Sequence, residues 1–197
     1  MKRISIIIVV MIFCASLLVA QGITGKGIKA GLNIATLTGD DVSDDMESIF
    51  RFAIGGFLTY SINEMFAIQP EVYYSMQGAK LEEGDEKTTC KYDYIQVPVL
   101  VKVNIPIESS LRPNIFLGPA LGINLSAKYK YENAVEVEDD IEDVKTMDLG
   151  LVFGAGVNIG PATIDARYNL GLTTTDDSED EFDVKNSVIS IMLGYSF

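Results

Sequence analysis

The chain has 197 residues, 48% of them hydrophobic, so one domain is the default and a core or a membrane face is within reach. A formal net charge of −13 argues against a nucleic-acid partner, which demands a basic surface. There is no histidine, which removes the commonest general base, the commonest metal ligand and every Ser-His or Cys-His dyad.

Residues 1–20 read as a secretory signal peptide. Lys2 and Arg3 form a short basic start, Ile4 to Val19 is mostly apolar, and Ala20 closes the stretch. The alternative is a membrane anchor, but the stretch is short for one and no stop-transfer flank follows. Leu18 is bulky for the third position before a cut after Ala20, and Phe13 is not the small residue that a lipoprotein signal places before its cysteine. The domain that remains, 21–197, carries one thiol, Cys90, and no internal disulfide.

Eight segments then alternate apolar and small or polar residues with period two, the pattern of strands with one apolar face. Residues 27–37 set Ile28, Ala30, Leu32 and Ile34 against Lys29, Gly31 and Asn33. Residues 50–62 set Phe50, Phe52, Ile54, Leu58, Tyr60 and Ile62 against Arg51, Ala53, Gly55, Thr59 and Ser61. Residues 66–78 set Phe66, Ile68, Val72, Tyr74 and Met76 against Gln69, Glu71, Tyr73, Ser75 and Gln77. Residues 92–104 set Ile95, Val97, Val99, Val101 and Val103 against Tyr94, Gln96, Pro98, Lys102 and Asn104. Segments at 113–131, 148–159, 162–172 and 187–197 repeat the pattern; the seventh sets Ile164, Ala166, Tyr168 and Leu170 against Asp165, Arg167 and Asn169. The last ends on the aromatic Phe197.

The connections are asymmetric. Long acidic stretches at 38–49, 81–91, 132–147 and 173–186 hold 22 of the 28 acidic residues. The others are short: tight turns at 63–65 and 160–161 and a slightly longer connection at 105–111. Long loops at one end and short turns at the other, with strands of membrane-crossing length, predict an all-β fold: an eight-stranded antiparallel up-and-down transmembrane β-barrel. A soluble lipocalin-type barrel also has eight strands, but its outer face is charged. Here the bulky face is almost free of charge, as lipid contact requires, and the weaker face suits a narrow interior. Closure pairs the last strand with the first and removes both edges. Tyr60, Tyr74, Tyr129, Tyr131, Tyr168, Tyr195 and Phe197 are candidates for interfacial girdles.

"GIKAGLNIATL", "AIQPEVYYSMQGAK", "YDYIQVPVLVK", "NIFLGPALG", "LGLVFGAGVNI" and "IDARYNLGL" together resemble the small porin-like barrels of the PorT-like family. That resemblance implies an eight-stranded barrel in the outer membrane of a diderm bacterium, in contact with outer-membrane lipid. It also implies that Tyr195 and Phe197 form a C-terminal signal for the barrel-assembly machinery. It gives no molecular activity, because unrelated functions share the barrel.

For the interior, alternation points Arg51, Glu71, Lys102, Asp165 and Arg167 inward, a lumen charge network that reads as a plug. Glu71 and Arg167 lie on opposite walls, and Glu71 is expected to pair with Arg167 or Lys102. For the loops, hard divalent cations take oxygen ligands, so weak sites are conceivable at Asp40, Asp41, Asp44 and Asp45 and at Glu138, Asp139, Asp140, Glu142 and Asp143. No EF-hand pattern accompanies them, and a solvated repelling surface is the plainer reading. The acids of the fourth stretch, 176–183, make no catalytic pair without a shaped pocket. No catalytic residue, cofactor or structural metal is expected. The function expected is a non-enzymatic structural or adhesion-type binding protein with an unidentified surface ligand. The alternatives are a narrow channel for ions or small solutes and an accessory role in protein secretion.

Overall fold

The computed structural model describes residues 23–43, 45–84, 86–107, 110–132, 136–141, 143–178 and 182–197. The signal-peptide stretch lies outside the described residues, as do Asp44, Glu142, Glu179, Asp180 and Glu181.

Among the described residues nine strands form one antiparallel sheet: β1 (Ile23–Thr38), β2 (Met46–Ser61), β3 (Phe66–Glu83), β4 (Glu86–Asn104), β5 (Leu111–Glu132), β6 (Glu136–Asp140), β7 (Met147–Ile159), β8 (Ala162–Gly171) and β9 (Lys185–Ser196). The ring closes through eight of them, β1-β2-β3-β4-β5-β7-β8-β9, and β6 hangs on β5 outside the ring. The seam is β1 against β9, running from Gly27 opposite Ser196 to Thr38 opposite Lys185. The terminal apolar strand therefore has no free edge.

The barrel is inside out with respect to a protein dissolved in water. On β2, Phe50, Phe52 and Ile54 are 74, 64 and 61% exposed, whereas Lys29, Glu71, Asp165 and Arg167 are buried. Apolar side chains outside and polar ones inside are what a hydrocarbon solvent selects. The bulky sets on β1, β2, β3, β4 and β9 all face outward in this way.

Inward aromatics fill much of the bore, and three of them lie directly across the ladder from a glycine. Gly27 faces Phe57, Gly55 faces Tyr73, and Gly154 faces Phe116. A Cβ on those glycines would come within 2.6, 2.6 and 2.7 Å of the respective rings. The glycines thus make room for rings to lie flat against the wall.

Three expectations are corrected. The ninth strand, β6, forms inside the third acidic stretch and pairs Tyr129 with Asp139 and Lys130 with Glu138. The second stretch, 81–91, is not a long loop: β3 and β4 run through it in register, with Lys80 opposite Thr89 and Glu82 opposite Lys87, and β3 turns at Gly84. Gly84 takes the left-handed conformation in that turn, φ 62°. Both faces of this segment are polar, so no alternation marks it. Finally, Tyr129 and Tyr131 sit on this outlying sheet and not on the lipid-facing wall.

The result is a blade. β5 runs nine residues past Ile123, the last of its residues to pair with β7, about 30 Å of strand at 3.4 Å per residue. β3, β4 and β6 accompany it. Ion pairs lace the blade across strands, Lys80 with Glu47 at 2.8 Å, Lys91 with Glu138 at 2.9 Å and Lys128 with Glu138 at 3.3 Å, and Lys130 pairs with Glu132 along β5.

Candidate functional site

The inner faces of β1, β3, β4 and β8 bring five charged side chains together in the bore. The Arg167 guanidinium donates to Glu71 Oε2 at 2.6 Å and, through Nε, to Asp165 Oδ1 at 2.8 Å. The Lys29 ammonium donates to Asp165 Oδ2 at 2.7 Å and to Glu71 Oε1 at 3.2 Å. Gln69 links the remaining cation: its amide donates to Glu71, and its carbonyl oxygen accepts from Lys102 at 3.1 Å. Every member of the set is at least nine-tenths buried.

Rings complete the packing. Arg167 lies between Tyr73 and Phe116, 5.6 and 5.2 Å from their centroids, and Lys29 stands 5.1 Å from the centroid of Phe57. Cations desolvated against aromatic faces recover part of their lost hydration. Each carboxylate has two cationic donors, the condition under which buried charge is tolerable.

Above this cluster the bore stays hydrogen-bonded. Asn33 donates to Ser75 at 3.1 Å and accepts from Ser190 at 2.8 Å. Next, Asn186 donates to the Tyr94 hydroxyl at 3.1 Å and to Asp148 at 3.0 Å. An apolar lid of Leu37, Ala79, Tyr92, Tyr94 and Ala127 follows, against which Val42, Ile141, Val144 and Val184 of the loops pack. The half-buried Cys90 also packs there. The long-loop end is thus covered, whereas the short-turn end opens into a cavity of about 920 Å3.

The structure gathers Glu71, Lys102, Asp165 and Arg167 but not Arg51. Arg51 pairs with Asp93 at 2.9 Å, and the other Asp93 oxygen accepts from the Tyr74 hydroxyl at 2.6 Å. Register shifts fall between Ser48 and Ala53 in the β2–β3 ladder and between Asp93 and Tyr94 in the β4–β5 ladder. Alternation holds at Arg51 itself, which stands opposite Asn33 between the exposed Phe50 and Phe52, but its guanidinium reaches Asp93 and not the cluster. Lys29 and Gln69, which sequence reasoning left out, share the inward parity of their strands; parity was the available signal.

Several of the loop carboxylates have partners within the protein. Asp41 accepts the Asp183 amide at 2.7 Å, and Asp183 accepts the Asp40 amide at 3.4 Å, tying the first loop to the fourth. The Asp45 amide bonds Ser43, Asp139 accepts the Asp140 amide, and Glu138 holds Lys91 and Lys128. Asp143 has φ 52° and accepts the Asp177 amide through its carbonyl oxygen. Ser178 and the Phe182 amide hold the Asp176 carboxyl below its usual range. Among the described residues no three such side chains converge in a way that would hold a metal ion.

At the seam, Tyr195 is exposed on the outer wall, and the Phe197 amide donates to the Lys26 carbonyl at 2.9 Å. The Lys26 ammonium stands 5.7 Å from the Phe197 ring centroid.

The sequence matches the family described as "Outer membrane protein beta-barrel domain" over residues 20–177. No curated protein matches the chain. Among solved structures, the chain is similar to Ail, the attachment invasion locus protein of Yersinia pestis, at 18% identity over 90% of this chain and 100% of that one, with a TM-score of 0.47. It is similar to Neisserial surface protein A at 14% identity over 90% and 100%, with a TM-score of 0.49. It is also similar to OprG from Pseudomonas aeruginosa at 11% identity over 89% and 97%, with a TM-score of 0.37.

Proposed function

Because the chain belongs to the outer-membrane β-barrel domain family, we propose that it is a non-enzymatic surface binding protein of the outer membrane with a plugged lumen. The observation that carries this reading is the contrast between the two ends of the molecule's polar chemistry. The bore is spent on mutual ion pairs among Lys29, Glu71, Asp165 and Arg167 under an apolar lid. The blade, by contrast, projects past the ring. Among the described residues β6 pairs only with β5, so its outer edge and the exposed Asp139 and Asp140 are available to an extended, basic partner.

The blade and long loops then face the outside, and both termini face the periplasm. Outer-membrane lipid covers the apolar wall, and the barrel-assembly machinery meets the strand that ends at Phe197. The resemblance of its strand segments to the PorT-like barrels supports reading it as one of that kind, without assigning it a part in secretion.

Planar-bilayer recording of refolded protein tests the plug. We expect no discrete conductance from the parent chain; a steady pore current makes the narrow-channel reading the better one. An epitope tag beside Glu138 and another in the 160–161 turn test the orientation on intact cells. Labelling of the turn tag but not the blade tag reverses it.

A further inference from the structure

The cavity at the short-turn end has a charge at its inner end that the ion cluster does not neutralise. The cluster holds three cations, Lys29, Lys102 and Arg167, and two acids, Glu71 and Asp165. Lys29 and Arg167 each bond both acids. Lys102 is 6% exposed, and its ammonium has one hydrogen bond, to the neutral Gln69. Among the described residues no carboxylate lies within 4.0 Å of it. An ammonium has three donors, so two are left without a protein partner beside the cavity. Isolated buried charge is strongly unfavourable, and a counter-charge is the usual remedy.

The cavity suits such a counter-charge. Lys102 and Gln69 line its inner end, and Thr59, Asn104, Asn158 and Thr163 supply hydroxyls and amides along its wall. The buried Thr163 hydroxyl has no hydrogen-bond partner in the protein. At about 920 Å3 the space is in the range of small-molecule sites. The exposed Arg112 and Glu64 at the mouth offset each other, so Lys102 sets the sign.

We propose that this cavity is an oxyanion site, taking a phosphate or carboxylate group presented from the short-turn side, with Lys102 as its charge partner. The site is at the opposite end from the blade and does not depend on the surface-binding reading. The group arrives either on a soluble molecule or on the headgroup of an anionic lipid.

The test is NMR of the full barrel in nanodiscs, with 15N-labelled lysine side chains. Three arms are run at constant ionic strength: acetate, inorganic phosphate, and phosphatidylglycerol added to an otherwise zwitterionic bilayer. A saturable shift of the Lys102 Nζ resonance is expected in at least one arm. Saturation with acetate or phosphate assigns a soluble source, and saturation only with the lipid assigns a headgroup. Lys102→Met is expected to weaken binding, read at the Asn158 and Thr163 amides, about tenfold or more, the loss of one charge-assisted hydrogen bond. Lys80→Gln on the blade leaves it unchanged. A Lys102 resonance that stays still or drifts linearly in all three arms overturns the proposal, whether or not the variant folds. So does equal affinity in the parent and a folded Lys102→Met variant.

Discussion

Glu71 and Arg167 meet across the bore, with 2.6 Å between carboxylate oxygen and guanidinium nitrogen, although β3 and β8 stand four places apart in a ring of eight strands. Two long side chains suffice to bridge the barrel because an eight-stranded bore is about as wide as the side chains that fill it. The contact is therefore a crossbar between opposite walls. Lys29 and Asp165 brace it, and Tyr73 and Phe116 clamp it.

Removing one end of the crossbar leaves the other buried without its charge. Glu71→Gln keeps the shape but abandons Arg167 to Asp165 alone, and loss of one partner of a buried pair typically costs about 3–5 kcal/mol. Asp139→Asn, on the exposed blade, is expected to stay within about 0.5 kcal/mol of the parent. Urea unfolding in detergent compares the three proteins. A Glu71→Gln barrel as stable as the parent would mean a hydrated bore with independently solvated charges. Discrete conductance in that variant alone would identify the crossbar as the barrier.

How far this site was legible in the sequence depends on where the strand has two different environments. Ile189, Ile191 and Leu193 face lipid while Val188, Ser190 and Met192 face the bore, so parity marks the wall and its lumen side. The same parity places Glu71, Lys102, Asp165 and Arg167 inside, and it also places Lys29 there, in a strand whose small residues draw no notice. It does not tell which partner Arg51 takes: alternation holds at Arg51, opposite Asn33, yet its guanidinium reaches Asp93 and not the cluster. It is silent on the blade, where both faces of Glu82–Lys91 meet water and the information lies in cross-strand charge pairs instead.

Gly154 tests the room made for rings. A Cβ there would meet the Ala166 carbonyl oxygen at 2.3 Å and the Phe116 ring at 2.7 Å, and backbone on one side prevents escape. Gly154→Ala should lose about 1–3 kcal/mol by overpacking and disturb the ring that clamps Arg167. At Gly84 nothing lies within 4 Å of an added Cβ, and only the left-handed backbone, φ 62°, opposes the change. Gly84→Ala should lose about 1 kcal/mol, and Gly84→Asn less, because asparagine tolerates that conformation. Equal effects at Gly154 and Gly84 would refute the steric account.

Phe197 separates assembly from stability. Its ring is 68% exposed, so its packing contribution is small, and its amide adds one ladder bond to Lys26. Deleting Phe197 should leave refolding in detergent close to that of the parent while reducing insertion in cells severalfold. Equal losses in both assays would make it a structural residue only, and full insertion in cells would remove it from the assembly signal.

The blade should loosen in acid before the barrel does. Lys91, with Lys128 beside it, holds the Glu138 carboxyl below its usual value of 4.5. Lys80 does the same for Glu82, and Lys130 for Glu132. A carboxyl whose value is depressed in the folded state adds stability that is complete above its unfolded value and disappears as pH falls through the folded one. The window therefore opens below pH 4.5 for all three carboxylates. Because these groups are exposed, salt should weaken the same contacts at neutral pH. Amide hydrogen exchange at Thr88–Lys91 and Lys128–Tyr131, corrected for the intrinsic pH dependence, should show protection falling below pH 4.5. Protection at Ile191 and Leu193, on the barrel wall, should hold over the same range. Parallel loss in both regions would mean that the blade has no stability of its own to lose and that acid acts on the whole barrel.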